Sequence, residues 1–471
     1  SSGLTISFDI TDTFAWHDNA MAKSTCTAWT SDTTKYDCTF SGGDPLTATT
    51  DAGNANLAVF DILDDNALLP KPPGVSVTIG STTTPGTSPS STASGAPSER
   101  LYFGTGEYSA GDNWDAMIRI EAADTINSLT SGLPVAPDGT AAVKTMRDRS
   151  GIRLNFAHSF FVNETSNELY AASLFTTSDN HACAGTTEVC GSIGVIAGAS
   201  SVNGSVTLSR HLFGSATTIN QPHGIWIDTS RDILYAANTM SDNILSLDLA
   251  SSVDGNTAPS RTISNSIGFT PVHLYVDTSS NRMFVACMGT PQIAVYNNAS
   301  TLSGTPTPNV IITCPNTRLT AGNNQTTHNV WYDSSRSLLI VGHHTNEVLI
   351  YDLSTLNFTP TTTPAIQDLT PWRILKINEQ TDDSDQYLWS AYGLFYLPAQ
   401  DRLYVAAGYA STGTSTGSNG PPTAGTPENC VRVYDNVSAL PASGVITPTR
   451  ELWWSNGSTY YPPQALWVTL H

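Results

Sequence analysis

Positive charge is scarce in this sequence: 20 Lys and Arg stand against 40 Asp and Glu over 471 residues, a formal net charge of −20. That shortage excludes binding driven by a phosphate backbone, because nucleic-acid affinity comes mainly from Lys and Arg neutralising phosphates. It disfavours an anionic membrane surface for the same reason. No apolar run approaches the roughly 20 residues a membrane-spanning helix needs, so no membrane insertion is expected. None of the seven cysteines sits in a C-x-x-C pair, which removes zinc-ribbon, thioredoxin-like and c-type haem sites. H-E-x-x-H and the phosphate-binding G-x-x-x-x-G-K are absent as well. The one G-x-S-x-G, at Gly413–Gly417, lies in a Gly/Ser/Thr/Pro loop rather than at a strand-to-helix turn and is discounted.

Charged residues make up 13% of the chain and hydrophobic ones 39%, so solubility rests on hydroxyls and amides, and disorder over the whole length is excluded. Short cysteine loops among Asp, Gly, Thr and Ser point to local disulfides of an oxidising compartment: Cys26 with Cys38 and Cys183 with Cys190, with Cys287 and Cys314 as a third pair. Cys430 is then left over, as a buried thiol or an intermolecular link. The start Ser1-Ser2-Gly3 suits a mature exported chain after signal-peptide removal, so an extracellular or cell-surface location is expected. Seven N-x-[ST] sequons, at Asn163, Asn203, Asn298, Asn324, Asn357, Asn436 and Asn456, carry glycans only where the host has that pathway.

An internal repeat organises the chain. Residues 158–173 read HSFFVNETSNELYAAS, and the pattern returns at 223–238, 272–287, 328–343 and 392–408. Anchored on Asn163, Asp228, Asp277, Asp333 and Leu397, the spacings are 65, 49, 56 and 64 residues. Each unit is an alternating apolar run, a D-x-S-x-[DN]-type turn and a second run rich in Leu, Tyr, Val and Ala, which is a β-hairpin signature. A third run follows, as in Ile244–Leu249 and Gln292–Tyr296, and then a fourth after a Pro-containing loop, as in Pro308–Thr313. Four short antiparallel strands per 50 to 65 residues make a propeller blade, so the fold expected is all-β.

The tail Pro463-Gln-Ala-Leu-Trp-Val468 matches Pro222-His-Gly-Ile-Trp-Ile227, a first strand with nothing after it. Its partners are Arg100–Thr105 and Ala116–Ile120 far upstream. The expectation is a six-bladed β-propeller over 99–471, of four-stranded antiparallel blades, closed by the C-terminal strand. Residues 80–98 read as a Ser/Thr/Pro-rich linker, and 1–79 as an N-terminal β-rich arm or small cap. The arm's strand-like segments Leu4–Ile10 and Leu57–Ile62 must pair with each other, with the propeller's edges or with a neighbouring subunit.

First strands line a propeller's channel, so one register brings six residues round one axis: His158, His223, Val272, His328, Tyr392 and Gln464. Three neutral imidazoles in one ring are ligands for zinc or another divalent metal. The competing reading has the same histidines bonded to backbone at the channel mouth. His273 misses the register by one residue, which in a regular strand turns it to the other face. Trp226, Tyr275, Trp331, Phe395 and Trp467 follow the register and are expected in the inter-blade core rather than on a carbohydrate-binding shelf. Carboxylates at Asp61–Asp65 and Glu379–Asp385 are close enough for calcium but lack EF-hand spacing, and a solvated acidic loop is the simpler reading.

The pattern P-H-G followed by three apolar residues and Asp, and then L-Y-x-A-[ND], resembles the NHL-repeat and related lactonase-type six-bladed propellers over about residues 99–471. Within that group the peptidylglycine amidating lyase domain holds a channel metal with histidines of P-H segments. The resemblance implies a metal-binding role for His223, in Gln-Pro-His-Gly, and for His158 and His328 at the same register. It places no catalytic Tyr or Arg. The leading functional expectation is a secreted or cell-surface propeller acting non-catalytically on protein partners, including copies of itself assembled into filaments through the arm. Glycan binding stays open. The alternative is a metal-dependent lyase or hydrolase at His158, His223 and His328.

Overall fold

The computed structural model of the chain describes residues 4–9, 25–29, 32–40, 78–80, 99–105, 117–120, 143–148, 154–176, 191–264, 270–288, 290–313, 315–319, 327–343, 347–359, 363–376, 390–408, 429–454 and 463–470. The chain divides into two compact units, Ser1–Ala96 and Pro97–His471. No helix among the described residues is long and apolar enough to cross a membrane.

The first unit contains a four-stranded sheet. Leu4–Asp9 lies antiparallel between Asp32–Phe40 and Thr78–Gly80, and Thr25–Trp29 pairs with the free side of Asp32–Phe40. The described strands of this unit thus pair with one another. The register sets Cys26 opposite Cys38. The expected strand near Leu57–Ile62 and the acidic run Asp61–Asp65 lie outside the described residues.

The second unit is an all-β propeller. Each blade begins with a hairpin whose turn chemistry is in the sequence. The Asp228 carboxylate accepts from the Ser230 N–H at 3.0 Å, the Ser230 hydroxyl at 2.6 Å and the Arg231 N–H at 3.1 Å. Asp333 repeats this with Ser335 and Arg336, and Asp277 with Ser279. The turn ends on a left-handed residue, Asn167, Asp232, Asn281, Ser337 or Asp401, a position where short polar side chains are tolerated. Arg231 and Arg336 reach from their own turn to the next one, at Thr278 O (3.1 Å) and Pro398 O (2.9 Å).

Five sheets are each built on one consecutive stretch of chain, opening with the inner strands Leu154–Asn163, Pro222–Asp228, Thr270–Asp277, Thr327–Asp333 and Ser390–Leu397. A further sheet is composite. Its inner strand is Pro463–Leu470, paired antiparallel with Glu99–Thr105 so that Trp467 faces Tyr102, and Met117–Ile120 and Val143–Asp148 follow outward. The expectation of six blades is therefore corrected to five, each begun on contiguous chain, while the pairing of the C-terminal strand with Glu99–Thr105 is found in the further sheet, as expected. The inner strands pack side by side in chain order, and Pro463–Leu470 contacts both Ser390–Leu397 and Leu154–Asn163.

The expectation of four strands per sheet is corrected too. Val143–Asp148, Val310–Ile312 and Arg373–Lys376 each take a fifth strand in parallel on their outer edge: Gly204–Val206, Ala365–Gln367 and Ser443–Val445. Each comes from later in the chain. An outer edge left open exposes unpaired N–H and C=O groups, and these strands cover it.

Cys287 is a free thiol, against its expected pairing with Cys314. It is fully buried in the strand Arg282–Met288, with Sγ 3.4 Å from Val285 O, and burial raises its pKa well above the ordinary value. Cys183, Cys190 and Cys314 lie outside the described residues, as do Gly413–Gly417 and Glu379–Asp385.

Candidate metal centre

Every inner strand of the five contiguous blades breaks its ladder at the same place. The register with the second strand skips from Ala157 to Ser159, Pro222 to Gly224, Pro271 to His273, Thr327 to Asn329 and Ala391 to Gly393. In the composite sheet it shifts between Pro463 and Leu466. The residues passed over are His158, His223, Val272, His328 and Tyr392, the very register singled out from sequence. A bulged residue leaves the alternation of the strand and is re-aimed.

The three histidines converge. One potential ligand atom from each of His158, His223 and His328 lies within 4.8 Å of the others. Ring centroids are 4.5 Å apart for His158 and His223, 5.9 Å for His158 and His328, and 6.4 Å for His223 and His328. Nitrogens on a tetrahedral metal at about 2.0–2.1 Å stand roughly 3.4 Å apart, so closure asks for little more than side-chain adjustment.

His328 Nδ1 lies 2.7 Å from the Tyr392 carbonyl, which assigns the proton to Nδ1 and leaves Nε2 as the donor atom, the orientation an outer hydrogen bond gives a metal-binding imidazole. His223 is half-buried, and its Nδ1 has no hydrogen-bond partner. Burial, with repulsion from His328 second, pushes its pKa down to about 3. Burial also takes His328 down to about 4, against the opposing pull of the Tyr392 carbonyl. Neutral imidazole is the form a metal takes, so the donor set fits a divalent transition metal.

Two features escaped the sequence reading. His273 does not turn away: it lines the same chamber as His158, because the bulge at Val272 breaks the alternation on which that expectation rested. Its ring is accommodated by Gly224, where a Cβ would fall 2.7 Å from His273 Cα and 2.9 Å from Val272 O. Burial, then repulsion from His328, sets its pKa at about 3.

The second feature is a closed aromatic ring. Phe161, Trp226, Tyr275, Trp331, Phe395 and Trp467, one from each inner strand, touch in sequence with centroids 5.4, 4.4, 5.1, 4.6 and 4.8 Å apart, and Trp467 returns to Phe161 at 4.5 Å. Trp226, Trp331 and Trp467 also meet across the centre at 5.3 to 6.0 Å. The ring plugs the channel. Phe161, three residues after His158 as Trp226 is after His223, belonged to the pattern and was missed because its residue type is so common in strands. A small chamber remains between histidines and floor, walled by residues of both levels.

The fold and site define an all-β propeller with a histidine cluster at one end of a stoppered channel. No protein-family model matches the chain, and no curated protein matches it. Solved structures do, at low identity. A protein from Lactobacillus plantarum aligns with TM-score 0.44 and 11% identity over 79% of this chain and 99% of that one. The Pseudomonas aeruginosa periplasmic gluconolactonase aligns with TM-score 0.43 and 10% identity over 79% and 98%. Kuenenia stuttgartiensis hydrazine synthase aligns with TM-score 0.37 and 12% identity over 60% of this chain, which spans 64% of that chain's length. At these levels the activities of those proteins do not transfer.

Proposed function

We propose that the propeller is a divalent-metal protein in which His158, His223 and His328 hold the ion, and that it acts as a metal-dependent hydrolase or lyase at the mouth of the stoppered channel. The observation that carries the reading is the mutual approach of three imidazole donors within 4.8 Å, one from each of three inner strands. Three protein ligands leave a coordination position open, as in catalytic rather than structural zinc sites. A metal there supplies Lewis acidity toward a carbonyl or a bound water. The chain's own part is to present neutral imidazoles, fix the His328 tautomer through Tyr392 and close the far side with aromatic rings.

Elemental analysis of full-length protein purified without chelator tests this. About one equivalent of zinc or a similar metal per chain is expected, falling below a tenth in His223→Ala and His328→Ala. Absence of stoichiometric metal after loading with zinc, copper, nickel and cobalt in turn overturns it.

In this reading the composite sheet counts as a sixth blade, supported by the sixth aromatic residue, Trp467, in the channel ring. Export to an oxidising compartment, with Cys26 bonded to Cys38, is part of the proposal and is supported by their opposed register. A second reading is association with protein partners or further copies through residues 1–96. It is favoured by the sheet of that unit, in which Thr25–Trp29 and Thr78–Gly80 have no neighbour on their outer sides among the described residues.

A further inference from the structure

The chamber between the histidines and the aromatic floor carries more polar chemistry than a three-histidine cluster uses. Asn329, His273, Trp226 and Trp331 all line it, and each is more than nine-tenths buried. Asn329 Oδ1, His273 Nδ1 and both indole nitrogens have no hydrogen-bond partner within the protein. A buried polar atom without a partner is destabilising, and proteins answer such groups with ordered water or a ligand. The remaining wall is Ser159, Phe160, Ile225, Leu394, Leu466 and Trp467 beside His158, with no Asp, Glu, Lys or Arg among the described residues. An ion of either sign held there alone would be uncompensated. The free space is about the least that a cavity needs to hold one water.

We propose that this chamber is a binding site for one small hydrogen-bonding ligand, water in the resting protein, and that it holds the non-protein ligand of the metal. The second half of the statement rests on the metal reading above; the first half does not. The indole N–H groups of Trp226 and Trp331 donate to the ligand oxygen, and the ligand's O–H donates to Asn329 Oδ1. A divalent ion held by His158 and its partners places positive charge beside the chamber and changes what it accepts. A narrow triatomic anion such as azide, bound to that ion, then puts only an end nitrogen where the water stood, whereas a broad anion such as benzoate does not fit. A substrate larger than this meets the metal from the mouth, and the water it reacts with stands on the floor side.

Two measurements on the full chain decide the matter. A crystal structure of metal-free protein at a resolution that shows solvent is expected to place one water within hydrogen-bond distance of Asn329 Oδ1 and an indole nitrogen; a dry chamber overturns the proposal. Azide is then titrated into cobalt-loaded protein, read by the visible spectrum of the metal and by tryptophan fluorescence. Saturable binding with fluorescence quenching is expected, at least tenfold weaker in Trp331→Phe, which removes the indole N–H together with its five-membered ring, and not weakened in Asn329→Leu, since Oδ1 is an acceptor to which azide has no hydrogen to donate. Both variants should keep one metal per chain. Azide affinity unchanged in Trp331→Phe, or benzoate binding with the same quenching, overturns the placement of the metal's ligand. Failure of cobalt to bind while the water is seen removes the metal reading and leaves the small-ligand site standing.

Discussion

Two single residues show how tightly the channel end is specified. Gly224 follows His223 where the neighbouring inner strand comes closest, and the atoms a Cβ would meet, His273 Cα at 2.7 Å and Val272 O at 2.9 Å, are backbone or tied to it. They cannot swing aside as a side-chain tip would. Gly224→Ala should therefore cost about 1–3 kcal/mol, as overpacking does, and weaken metal binding by parting two blades. Thermal unfolding and metal titration on the same sample check both effects.

His343 carries a different expectation. It is almost fully buried, and burial, with repulsion from Arg318 second, sets its pKa at about 4, against about 6.5 in an unfolded chain. Between those values the unfolded state binds a proton that the folded state refuses, so stability rises with pH across the window and falls on acidification. The loss from pH 7 to pH 4 is at most about 3 kcal/mol for this residue. Unfolding midpoints at pH 7 and 4.5 should separate less in His343→Gln than in the parent, and an equal separation would clear His343 of the effect.

At the scale of elements, the hairpin was legible in the sequence because its turn is made of chemistry. Asp333 is buried, and its carboxylate gathers the Ser335 N–H, the Ser335 hydroxyl and the Arg336 guanidinium; those residue types at those offsets are what the repeat displayed. Arg336 also donates to Pro398 O of the next blade. Asp333→Ala should lose the turn and the link together, about 2–3 kcal/mol, with Asp333→Asn recovering part, as melting curves would show. The bulges were not legible. Whether a ladder skips a residue is settled by the second strand and the turn that joins them, and no residue type marks it: the skipped positions hold His, Val and Tyr alike. His273 was misplaced for that reason, and with it the second imidazole of the chamber, beside His158. The parallel outer strands were likewise hidden, since Gly204–Val206 and Ser443–Val445 are three residues each and gain their definition only from the neighbouring edge they cover.

At the scale of the whole molecule, the shared sheet decides whether the ring holds. Pro463–Leu470 supplies the inner strand for Glu99–Thr105, carries Trp467 into the aromatic plug and packs between two other inner strands. A second tie runs beside it. Glu99, nearly fully buried, accepts from Arg402 and from the Tyr404 hydroxyl, and Arg402 also pairs with Asp435, so the start of the propeller is fastened to a strand some 300 residues later. Such a junction costs chain entropy to close and repays it only when both ends are present. Removing residues 463–471 should therefore do far more than lose nine residues' contacts. It opens the plug, strips one edge of the composite sheet and leaves the flanking inner strands without a neighbour. We expect loss of a single cooperative thermal transition and rapid proteolysis between residues 99 and 176, with partial rescue by a synthetic peptide of residues 460–471. Removing residues 1–96, which form a unit of their own, should leave the transition of the propeller within a few degrees of its parent. If the C-terminal truncation instead melts cooperatively at the parent temperature, closure is not made by that strand, and the common level of His158, His223 and His328 loses the frame that sets it.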